Sequence, residues 1–277
     1  MIISNEILVS KQNPTVKWAA SLLEKKGRRE SSSFVVEGIK LSLEAAATCL
    51  PVSHIFVLAS KSGELLPRLS SAYSDSKYND TRVIAVSDEV FSKISTEKAP
   101  EGVVTVIKYL DFFRELDIIY KEDFFLGAGE RALALFSVRD PGNLGAVIRS
   151  AVAFGIDHIV LSRDCADVYN PKTVRSAMGG LFRVKTTVVD NFPSFITAAK
   201  DSGRRVYAAE LRDGAMPLDK LLLSSTDVFV IGNEGHGISE EISSLCTASV
   251  YIPISVKTES LNAAVAASIL MWEQSKA

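Results

Sequence analysis

The chain has 277 residues, of which 47% are hydrophobic and 23% charged, and its formal net charge is −2. This composition excludes a disordered or fibrous chain, and the length favours two domains over one. The three cysteines, Cys49, Cys165 and Cys246, have neither metal-ligand spacing nor the even number of a disulfide framework. We therefore expect a globular protein of a reducing compartment, the cytoplasm.

The amino terminus gives no sign of export. Residues 1–6 lack the basic start and the long apolar core of a signal peptide. No uninterrupted apolar run in the sequence reaches membrane-spanning length. We expect no membrane association.

Residues 1–108 predict a small α/β domain. Their apolar patterns indicate helices at 16–24, 39–48 and 87–93 and strands at 33–37, 54–59, 82–86 and 102–107. Ser87 is a suitable N-cap for the third helix. This region has 14 Lys and Arg against 12 Asp and Glu, a net charge of +2, whereas the rest has 17 against 21, a net charge of −4. The basic side of the chain is therefore its amino-terminal side.

A cluster of four cations, Lys25, Lys26, Arg28 and Arg29, surrounds Gly27 in this basic region. It is the best candidate for a phosphate-binding patch. The alternative is an ordinary helix end, where cations are favourable and Gly27 serves as the C-cap. The two interpretations are compatible, because a cation near a helix end remains able to contact a phosphate.

Residues 109–130 predict a linker of mixed acidic and aromatic character. Aromatic side chains at helix-like intervals indicate packing against a neighbouring domain more than base stacking, because stacking surfaces usually pair aromatics with cations. The residues concerned are Tyr109, Phe112, Phe113, Tyr120, Phe124 and Phe125.

Residues 131–277 alternate regularly between strand and helix patterns. This alternation predicts a mostly parallel sheet covered by helices. Strands are indicated at 132–136, 158–161, 184–189, 206–209, 228–231 and 250–254, and helices at 145–154, 172–178 and 262–273. The last helix has hardly any polar face, so it must be buried on all sides, and a terminal helix is seldom covered by its own domain alone. We expect a second copy of the chain to cover it.

Polar residues follow three of these strands. Asn143 and Arg149 come after the first, Glu234 lies in a glycine-rich loop after another, and Ser260 and Asn262 precede the last helix. Ligands of open α/β sheets bind at the carboxyl ends of strands. The three segments therefore predict one composite pocket.

Several other classes of site are disfavoured. Gly232, Gly235 and Gly237 have the order GxxGxG, whereas the dinucleotide fingerprint requires GxGxxG, and a Walker lysine is absent. His54, His158 and His236 lie far apart without a second ligand nearby, so we expect no metal, and His236 is interpreted as an incidental loop residue. The sequence also lacks a nucleophile elbow or a Cys and His pairing for covalent catalysis.

These motifs and their order resemble the SpoU (TrmH) family of the SPOUT superfamily, RNA ribose 2′-O-methyltransferases that use S-adenosylmethionine (AdoMet). The resemblance rests on Asn143 with Arg149 six residues later, on the Gly-Asn-Glu-Gly run at 232–235, and on the Ser-Leu-Asn run at 260–262. It extends to residues 170–179 and, more loosely, to residues 34–38. Most of the chain is covered.

The resemblance implies a catalytic set of Arg149, Asn143, Glu234, Ser260 and Asn262. Arginine is a poor general base at pH 7, since removing its proton costs about 7 kcal/mol, so we expect Arg149 to stabilise charge on the phosphate or the developing alkoxide. A general-base role and an ordinary surface arginine are the alternatives. Asn143 either orients the ribose or Arg149, or only forms a turn. Glu234 requires a partner, for which Arg149, within the chain or across a dimer, is a candidate, and the alternative is a purely structural loop carboxylate. Ser260 and Asn262 are also suitable helix caps.

Cofactor contacts are implied in the same way. The resemblance places AdoMet against the backbone around Gly232, Ile252 and Leu261, with Ala209 and Glu210 near its adenosine portion. Backbone recognition is consistent with side chains that are chemically plain.

The resemblance further implies an α/β fold with a carboxy-terminal SPOUT domain at 131–277 that contains a deep trefoil knot. It also implies a homodimer and an RNA-binding α/β domain at 1–108. An added RNA-binding domain favours ribosomal RNA as the substrate. A tRNA 2′-O-methyltransferase and a catalytically silent RNA-binding protein remain the alternatives; a nucleotide-dependent oxidoreductase is disfavoured by the absent GxGxxG.

Overall fold

The computed structural model describes residues 1–74, 80–110, 113–116 and 126–277, with the backbone alone at 5 and 113–116. The chain forms two compact units. Unit 1 contains Met1–Asp111 and Asp167–Phe182, and unit 2 contains Phe112–Ala166 and Arg183–Ala277. The segment 167–182, which follows unit 2 strands in the sequence, is thus part of unit 1.

The secondary structure follows the chain in an α/β order. The helices are α1 Pro14–Ser21, α2 Lys25–Ser31, α3 Ile39–Ala47, α4 Ser62–Ala72, α5 Asp88–Ile94, α6 Pro141–Ala153, α7 Pro171–Ala177, α8 Phe192–Asp201, α9 Glu240–Leu245 and α10 Ala263–Gln274. The strands are β1 Ile2–Leu8, β2 Ser33–Glu37, β3 Val52–Leu58, β4 Arg82–Val86, β5 Val103–Lys108, β6 Phe113–Leu116, β7 Ala132–Leu135, β8 His158–Ser162, β9 Lys185–Val189, β10 Val206–Ala209, β11 Met216–Pro217, β12 Val228–Ile231 and β13 Ala248–Tyr251.

Unit 1 contains a five-stranded mixed sheet in the order β1-β4-β3-β5-β2. The β1, β4 and β3 strands are parallel, whereas β5 is antiparallel to both β3 and β2. Phe56, Phe91 and Ile94 lie in its core. The Ser87 hydroxyl accepts a hydrogen bond from Val90 N at 3.4 Å, which confirms the predicted cap of α5. The sequence did not predict β1 or α4.

The cation cluster begins a helix of its own. Lys25–Ser31 forms α2, so the interpretation of Gly27 as a C-cap is wrong. Gly27 is buried, and a Cβ atom at this position would overlap the carbonyl oxygen of Ser21. The glycine therefore permits the close approach of α2 to the end of α1.

An aromatic stack packs the returning segment into unit 1. Tyr169 lies between Phe34 and Tyr109, with ring centroids 4.4 Å and 4.3 Å away. The hydroxyl of Tyr169 accepts a hydrogen bond from Leu110 N at 3.0 Å. Tyr109 is therefore half-buried in a stack within unit 1, and this contact does not test the predicted packing against a neighbouring domain. The same prediction for the side chains of Phe112, Phe113, Tyr120, Phe124 and Phe125 lies outside the described residues.

Unit 2 contains an eight-stranded sheet in the order β11-β13-β10-β12-β7-β8-β9-β6. Its strand pairs are parallel, which confirms the predicted sheet type. Phe192, Phe195 and Ile196 of α8 pack on the sheet residues in the core. The strands β6 and β11 and the helices α8 and α9 were not predicted.

The terminal helix α10 is covered unevenly. Leu270, Met271 and Gln274 are buried, and the Gln274 amide donates a hydrogen bond to Asp227 O at 2.6 Å. Val265 and Trp272 remain 47% and 51% exposed. The prediction that this domain leaves part of the helix uncovered is confirmed.

Candidate active site

The loops after β7 and β12 begin side by side. After β7 the chain adds β8 and β9 on one side of that strand. The later strands β10, β12 and β13 lie on its other side, so the sheet has a topological switch point between β7 and β12. Phe136 N donates to Ile231 O at 2.8 Å where the two strands end. Ligand sites of open α/β sheets lie outside such strand ends. The structure thus brings two of the three predicted segments together.

Glu234 is held by three donors from the loop before α6 and from α6 itself. Its Oε1 atom accepts hydrogen bonds from Asn143 Nδ2 at 2.9 Å and from Asp140 N at 3.2 Å. Its Oε2 atom accepts one from Arg139 N at 3.2 Å. The expected pairing of Glu234 with Arg149 within the chain is therefore wrong, because Asn143 and two main-chain amides fill that place.

Asn143 connects Glu234 to the third predicted segment. It is the third residue of α6, so the interpretation as a turn residue alone is wrong. Its Oδ1 atom accepts a hydrogen bond from Asn262 Nδ2 at 2.9 Å. Asn262 Oδ1 in turn accepts from Ala264 N at 2.9 Å, which caps α10. The result is a directed chain from Asn262 through Asn143 to Glu234, in which each side chain has its orientation fixed.

The electrostatic state of Glu234 follows from these donors. Partial burial raises the pKa of the carboxyl, but the hydrogen bonds from Asn143 and from the amides of Arg139 and Asp140 outweigh it, and the pKa is lowered. Glu234 is therefore a carboxylate at neutral pH, a hydrogen-bond acceptor and not a proton donor.

Arg149 lies apart from this chain of side chains. It is exposed on α6, six residues after Asn143, and a helix turns by about 100° per residue, so the two side chains point about 120° apart. Among the residues that the structure describes, no hydrogen bond or ion pair engages its guanidinium. Arg149 is a cation available to a substrate or to another subunit.

A pocket of about 480 Å³ lies at the ends of β10 and β13, beside the cluster. Four of the five predicted cofactor-binding residues line it, namely Ala209, Glu210, Ile252 and Leu261. Ser260, a predicted catalytic residue, also lines it, and the loop continues directly to Asn262. The pocket wall and the polar cluster thus share one loop.

Gly232, the fifth predicted cofactor-binding residue, does not line this pocket. It is buried outside the pocket lining, and a Cβ atom there would overlap the backbone of Gly237. Asn233 and Gly237 exchange two main-chain hydrogen bonds of 2.9 Å across this point. The absence of a side chain at Gly232 therefore closes the loop that presents Glu234.

Glu210 is one of two acidic residues that line the pocket, with Glu259. Its Oε1 atom accepts hydrogen bonds from the hydroxyls of Ser243 and of Ser249, the latter at 2.7 Å. Arg212 lies 3.5 Å from the same oxygen and donates to Glu240 at 3.1 Å. These donors fix Glu210 at the edge of the pocket.

One of the four cations of the predicted phosphate patch, Arg28, is buried. Arg28 is only 1% exposed, and it donates to the carbonyl oxygens of Leu22 and Leu23 and to Asp167. The predicted contact of Arg28 with a phosphate is therefore wrong, because its guanidinium is already hydrogen-bonded to residues inside unit 1. Lys25, Lys26 and Arg29 are exposed.

The sequence did not identify the main-chain donors of this site. Asp140 caps α6, because its side chain accepts a hydrogen bond from Asn143 N at 2.8 Å. Pro141 is the first residue of this helix. The main-chain donors to Glu234, the amides of Arg139 and Asp140, precede the first helical residue. Because any residue type supplies a main-chain amide, no sequence signal marked them.

The part of the chain that the structure describes contains neither a metal cluster nor a membrane-spanning helix. The His, Cys, Asp and Glu side chains in the described ranges form no group of three or more that could hold a metal ion. No helix in those ranges is both long and apolar enough to span a bilayer.

Comparisons with known proteins agree with this geometry. Residues 130–272 match the SpoU rRNA Methylase family, and residues 13–105 match the MRM3-like substrate binding domain. The chain is 32% identical to the 23S rRNA (guanosine(2553)-2′-O)-methyltransferase RlmP of Bacillus subtilis, over 95% of this chain and 96% of RlmP. It is 28% identical to a 23S rRNA (uridine(2479)-2′-O)-methyltransferase of Streptomyces viridochromogenes, over 93% and 87% of the two chains.

A solved structure matches over nearly the whole length. The AdoMet-bound rRNA methyltransferase from Sinorhizobium meliloti is 28% identical, with a TM-score of 0.81 and coverage of 99% of this chain and 98% of that one. A parallel α/β sheet with a pocket and a polar cluster at its strand ends, together with these matches, defines an RNA methyltransferase of the α/β class. The chain belongs to the SpoU rRNA methylase family.

Proposed function

We propose that this protein transfers the methyl group of AdoMet to a ribose 2′-hydroxyl of ribosomal RNA. The observation that carries the proposal is the shared loop: Ser260 and Leu261 line the 480 Å³ pocket, and Asn262, the next residue, is bonded to Asn143. A donor in the pocket would lie next to the Asn262–Asn143–Glu234 chain. Relatives named for guanosine and for uridine have the ribose in common, which supports the ribose as the acceptor.

The pocket suits the proposed cofactor. Its volume lies within the range of small-molecule sites. Ala209, Ile252 and Leu261 offer apolar surface and main-chain groups for an adenosine, and Glu210 offers a fixed hydrogen-bond acceptor. AdoMet supplies a methyl group on a positively charged sulfur, which makes it an electrophile.

The chain of side chains would orient the acceptor. Glu234, held as a carboxylate, fixes the Asn143 amide, and Asn143 and Asn262 present polar groups next to the pocket. Its lowered pKa makes Glu234 a weak base, so we assign it a positioning role and not proton removal. Precise alignment of donor and acceptor is a large source of rate enhancement in such displacements.

Arg149 would stabilise the negative charge that develops on the ribose oxygen, or a flanking phosphate. Its exposed position on α6, away from Asn143, supports action on the site of a second subunit. A guanidinium is suited to this electrostatic role because it stays charged and offers several donors in a plane.

A homodimer would complete the site. The groove between α6 and α10 is lined by Ala146, Phe154, Val265 and Trp272, and it extends to Asn143 at one end. An exposed apolar groove of this kind favours burial by another protein surface. We propose that a second copy covers this groove, and that unit 2 contains the trefoil knot of its family.

Unit 1 would hold the RNA. Its match to a substrate binding domain supports this, as do the exposed Lys25, Lys26 and Arg29 on α2. Cations on a helix surface bind phosphates without reading sequence. The target nucleotide would then be selected elsewhere.

The substrate class is tested by transfer of tritiated methyl from AdoMet to undermethylated RNA that has been separated into rRNA and tRNA. We expect label in the rRNA fraction and a loss of at least 100-fold for Arg149→Ala, with AdoMet affinity unchanged. Label in tRNA alone would reassign the substrate. Cofactor binding without any transfer would favour a silent RNA-binding protein.

A further inference from the structure

Ser137 has an unusual backbone conformation directly before the active-site loop. Its φ angle is 58°, in the left-handed region that residues other than glycine rarely adopt. Such a conformation persists only when the surrounding structure holds it. The contacts of Ser137 identify what holds it.

Each polar group of Ser137 has a partner in unit 2. Its amide donates to Ser162 Oγ at 2.8 Å, and its hydroxyl donates to Asp164 Oδ2 at 2.5 Å. Its carbonyl oxygen accepts from Asn233 Nδ2 at 2.7 Å. Ser137 itself is only 7% exposed, whereas the side chain of Asp164 is 46% exposed.

Asp164 is the centre of this network. Its Oδ1 atom accepts from Ser162 Oγ at 2.6 Å, and its Oδ2 atom accepts from Ser137 Oγ and, at 3.2 Å, from Arg139 Nη2. Burial raises the pKa of the Asp164 carboxyl, but the bonds from Ser137, Ser162 and Arg139 outweigh it and lower the pKa. The side chain is an acceptor throughout the neutral range.

The network ends at the proposed catalytic cluster. The residues after Ser137 include Arg139 and Asp140, whose main-chain amides bind Glu234. The carbonyl of Ser137 also holds Asn233, the neighbour of Glu234. A change in the turn at Ser137 would therefore displace the groups on both sides of the Glu234 carboxylate.

We infer that Asp164 is a positioning residue for methyl transfer. It holds the turn at Ser137, and through it the amides of Arg139 and Asp140, so that Glu234 orients Asn143. This role rests on the proposed function of Asn143 and Glu234.

The first test compares Asp164→Asn and Ser137→Ala with the wild type. An amide at 164 replaces one acceptor oxygen by a donor group, which opposes the bonds from Ser137 and Arg139. We expect kcat to fall about 10- to 100-fold for Asp164→Asn and at least 5-fold for Ser137→Ala, with the AdoMet Kd within about twofold. The matched control is Asp190→Asn, because Asp190 also follows a strand of this sheet and pairs with Arg163. It should keep full activity.

A double-mutant cycle separates positioning from a general structural effect. If Asp164 acts through the Asn143 cluster, Asp164→Asn should cost less than about threefold in an Asn143→Ala background, since the interaction it supports is already gone. Multiplicative losses in the double variant would overturn the inference. If Asp164→Asn does not fold, Ser137→Ala takes its place in the same cycle. An unchanged kcat for Ser137→Ala would then overturn the inference.

The cycle also distinguishes this inference from the proposed function. Full activity of Asn143→Ala would remove the proposed site itself. A severe loss for Asn143→Ala, with full activity for Asp164→Asn, would leave the site and reject only the positioning role.

Discussion

The position and the protonation state of Glu234 depend on its neighbours. Three hydrogen bonds, from Asn143 Nδ2 and the amides of Arg139 and Asp140, converge on its two oxygens. Charge-assisted hydrogen bonds from fixed donors are roughly twice as strong as neutral ones. The carboxylate is therefore an organising element of the site.

Glu234→Gln tests this residue. The amide group can accept at one position only, so it must present a donor to one of the amides that now bind the carboxylate. We expect turnover to fall about 10- to 100-fold and the AdoMet Kd to stay within about twofold, measured by initial rates and calorimetry. Glu241→Gln, at an exposed position in α9, is the control and should retain full turnover. Wild-type turnover of Glu234→Gln would exclude the role.

The lowered pKa of Glu234 predicts a pH profile. A carboxyl with a folded pKa below its unfolded value of about 4.3 contributes stability above that value and loses it as the pH falls through the folded pKa. The ratio of wild-type to Glu234→Gln turnover should therefore be constant from about pH 5.5 to pH 8. A ratio that falls towards pH 5.5 would show that Glu234 titrates in the working range.

Among the elements, the helix pair α1 and α2 depends on a missing side chain. Gly27 is buried in α2, and its Cα faces the carbonyl oxygen of Ser21. Helices can approach this closely only where one of them lacks a Cβ atom.

Gly27→Ala and Gly63→Ala form a matched pair of helix substitutions. A Cβ at 27 overlaps backbone, whereas a Cβ at 63, in α4, meets nothing within 4 Å. We expect Gly27→Ala to lower the free energy of unfolding by about 1–3 kcal/mol. Gly63→Ala should leave it unchanged or raise it by up to about 1 kcal/mol. Denaturant titration measures both, and equal effects would contradict the close contact.

The exposed side of α10 is where we propose that a second copy binds. Val265 and Trp272 are exposed in the groove against α6, and a charge there would oppose burial by a second copy. Sedimentation should show the wild type at twice the chain mass and Val265→Lys as a folded monomer, whose melting temperature is lower because the stabilisation by association is lost. The control is Leu222→Lys, an apolar residue 86% exposed elsewhere in unit 2, which should remain dimeric. A monomeric wild type would remove the dimer proposal.

At the scale of the whole molecule, the charge on unit 1 has two uses. Arg28 is a buried structural cation bound to Asp167, whereas Lys25, Lys26 and Arg29 face solvent on the same helix. Neighbouring cations of one cluster therefore have different roles.

Substitutions in α2 should separate these roles. Replacing Lys25, Lys26 and Arg29 by Ala should weaken RNA binding and reduce the salt slope by up to about 2–3, with little change in stability. Arg28→Ala should instead destabilise the protein by about 3–5 kcal/mol, because it leaves Asp167 without its buried partner. Filter binding at several salt concentrations and thermal melting measure the two effects. An unchanged slope for the triple variant would exclude this patch as a phosphate contact.

Local patterns were sufficient for most of the parallel sheet. Residues 206–209 and 228–231 are continuous apolar runs bounded by polar residues, and both are strands with these bounds. The strand β1 was missed because Ser4, Asn5 and Glu6 interrupt its apolar pattern, and α4 because Pro67 lies inside it.

Long-range partners could not be predicted from the sequence. Arg28 is buried by Asp167, which lies 139 residues away, and Glu234 is bound by Asn143, which lies 91 residues away. Motifs indicated that Asn143, Glu234 and Asn262 belong to one site. Only the fold determines which atom bonds which, because hydrogen-bond partners follow from the strand order and not from residue type.

The most direct test of the proposed function is nucleoside mass spectrometry of ribosomal RNA after incubation with the protein and methyl-labelled AdoMet. The proposal predicts label on a ribose, as a 2′-O-methylnucleoside, and no such product with Arg149→Ala. A labelled base, or label that survives Arg149→Ala unchanged, would contradict it.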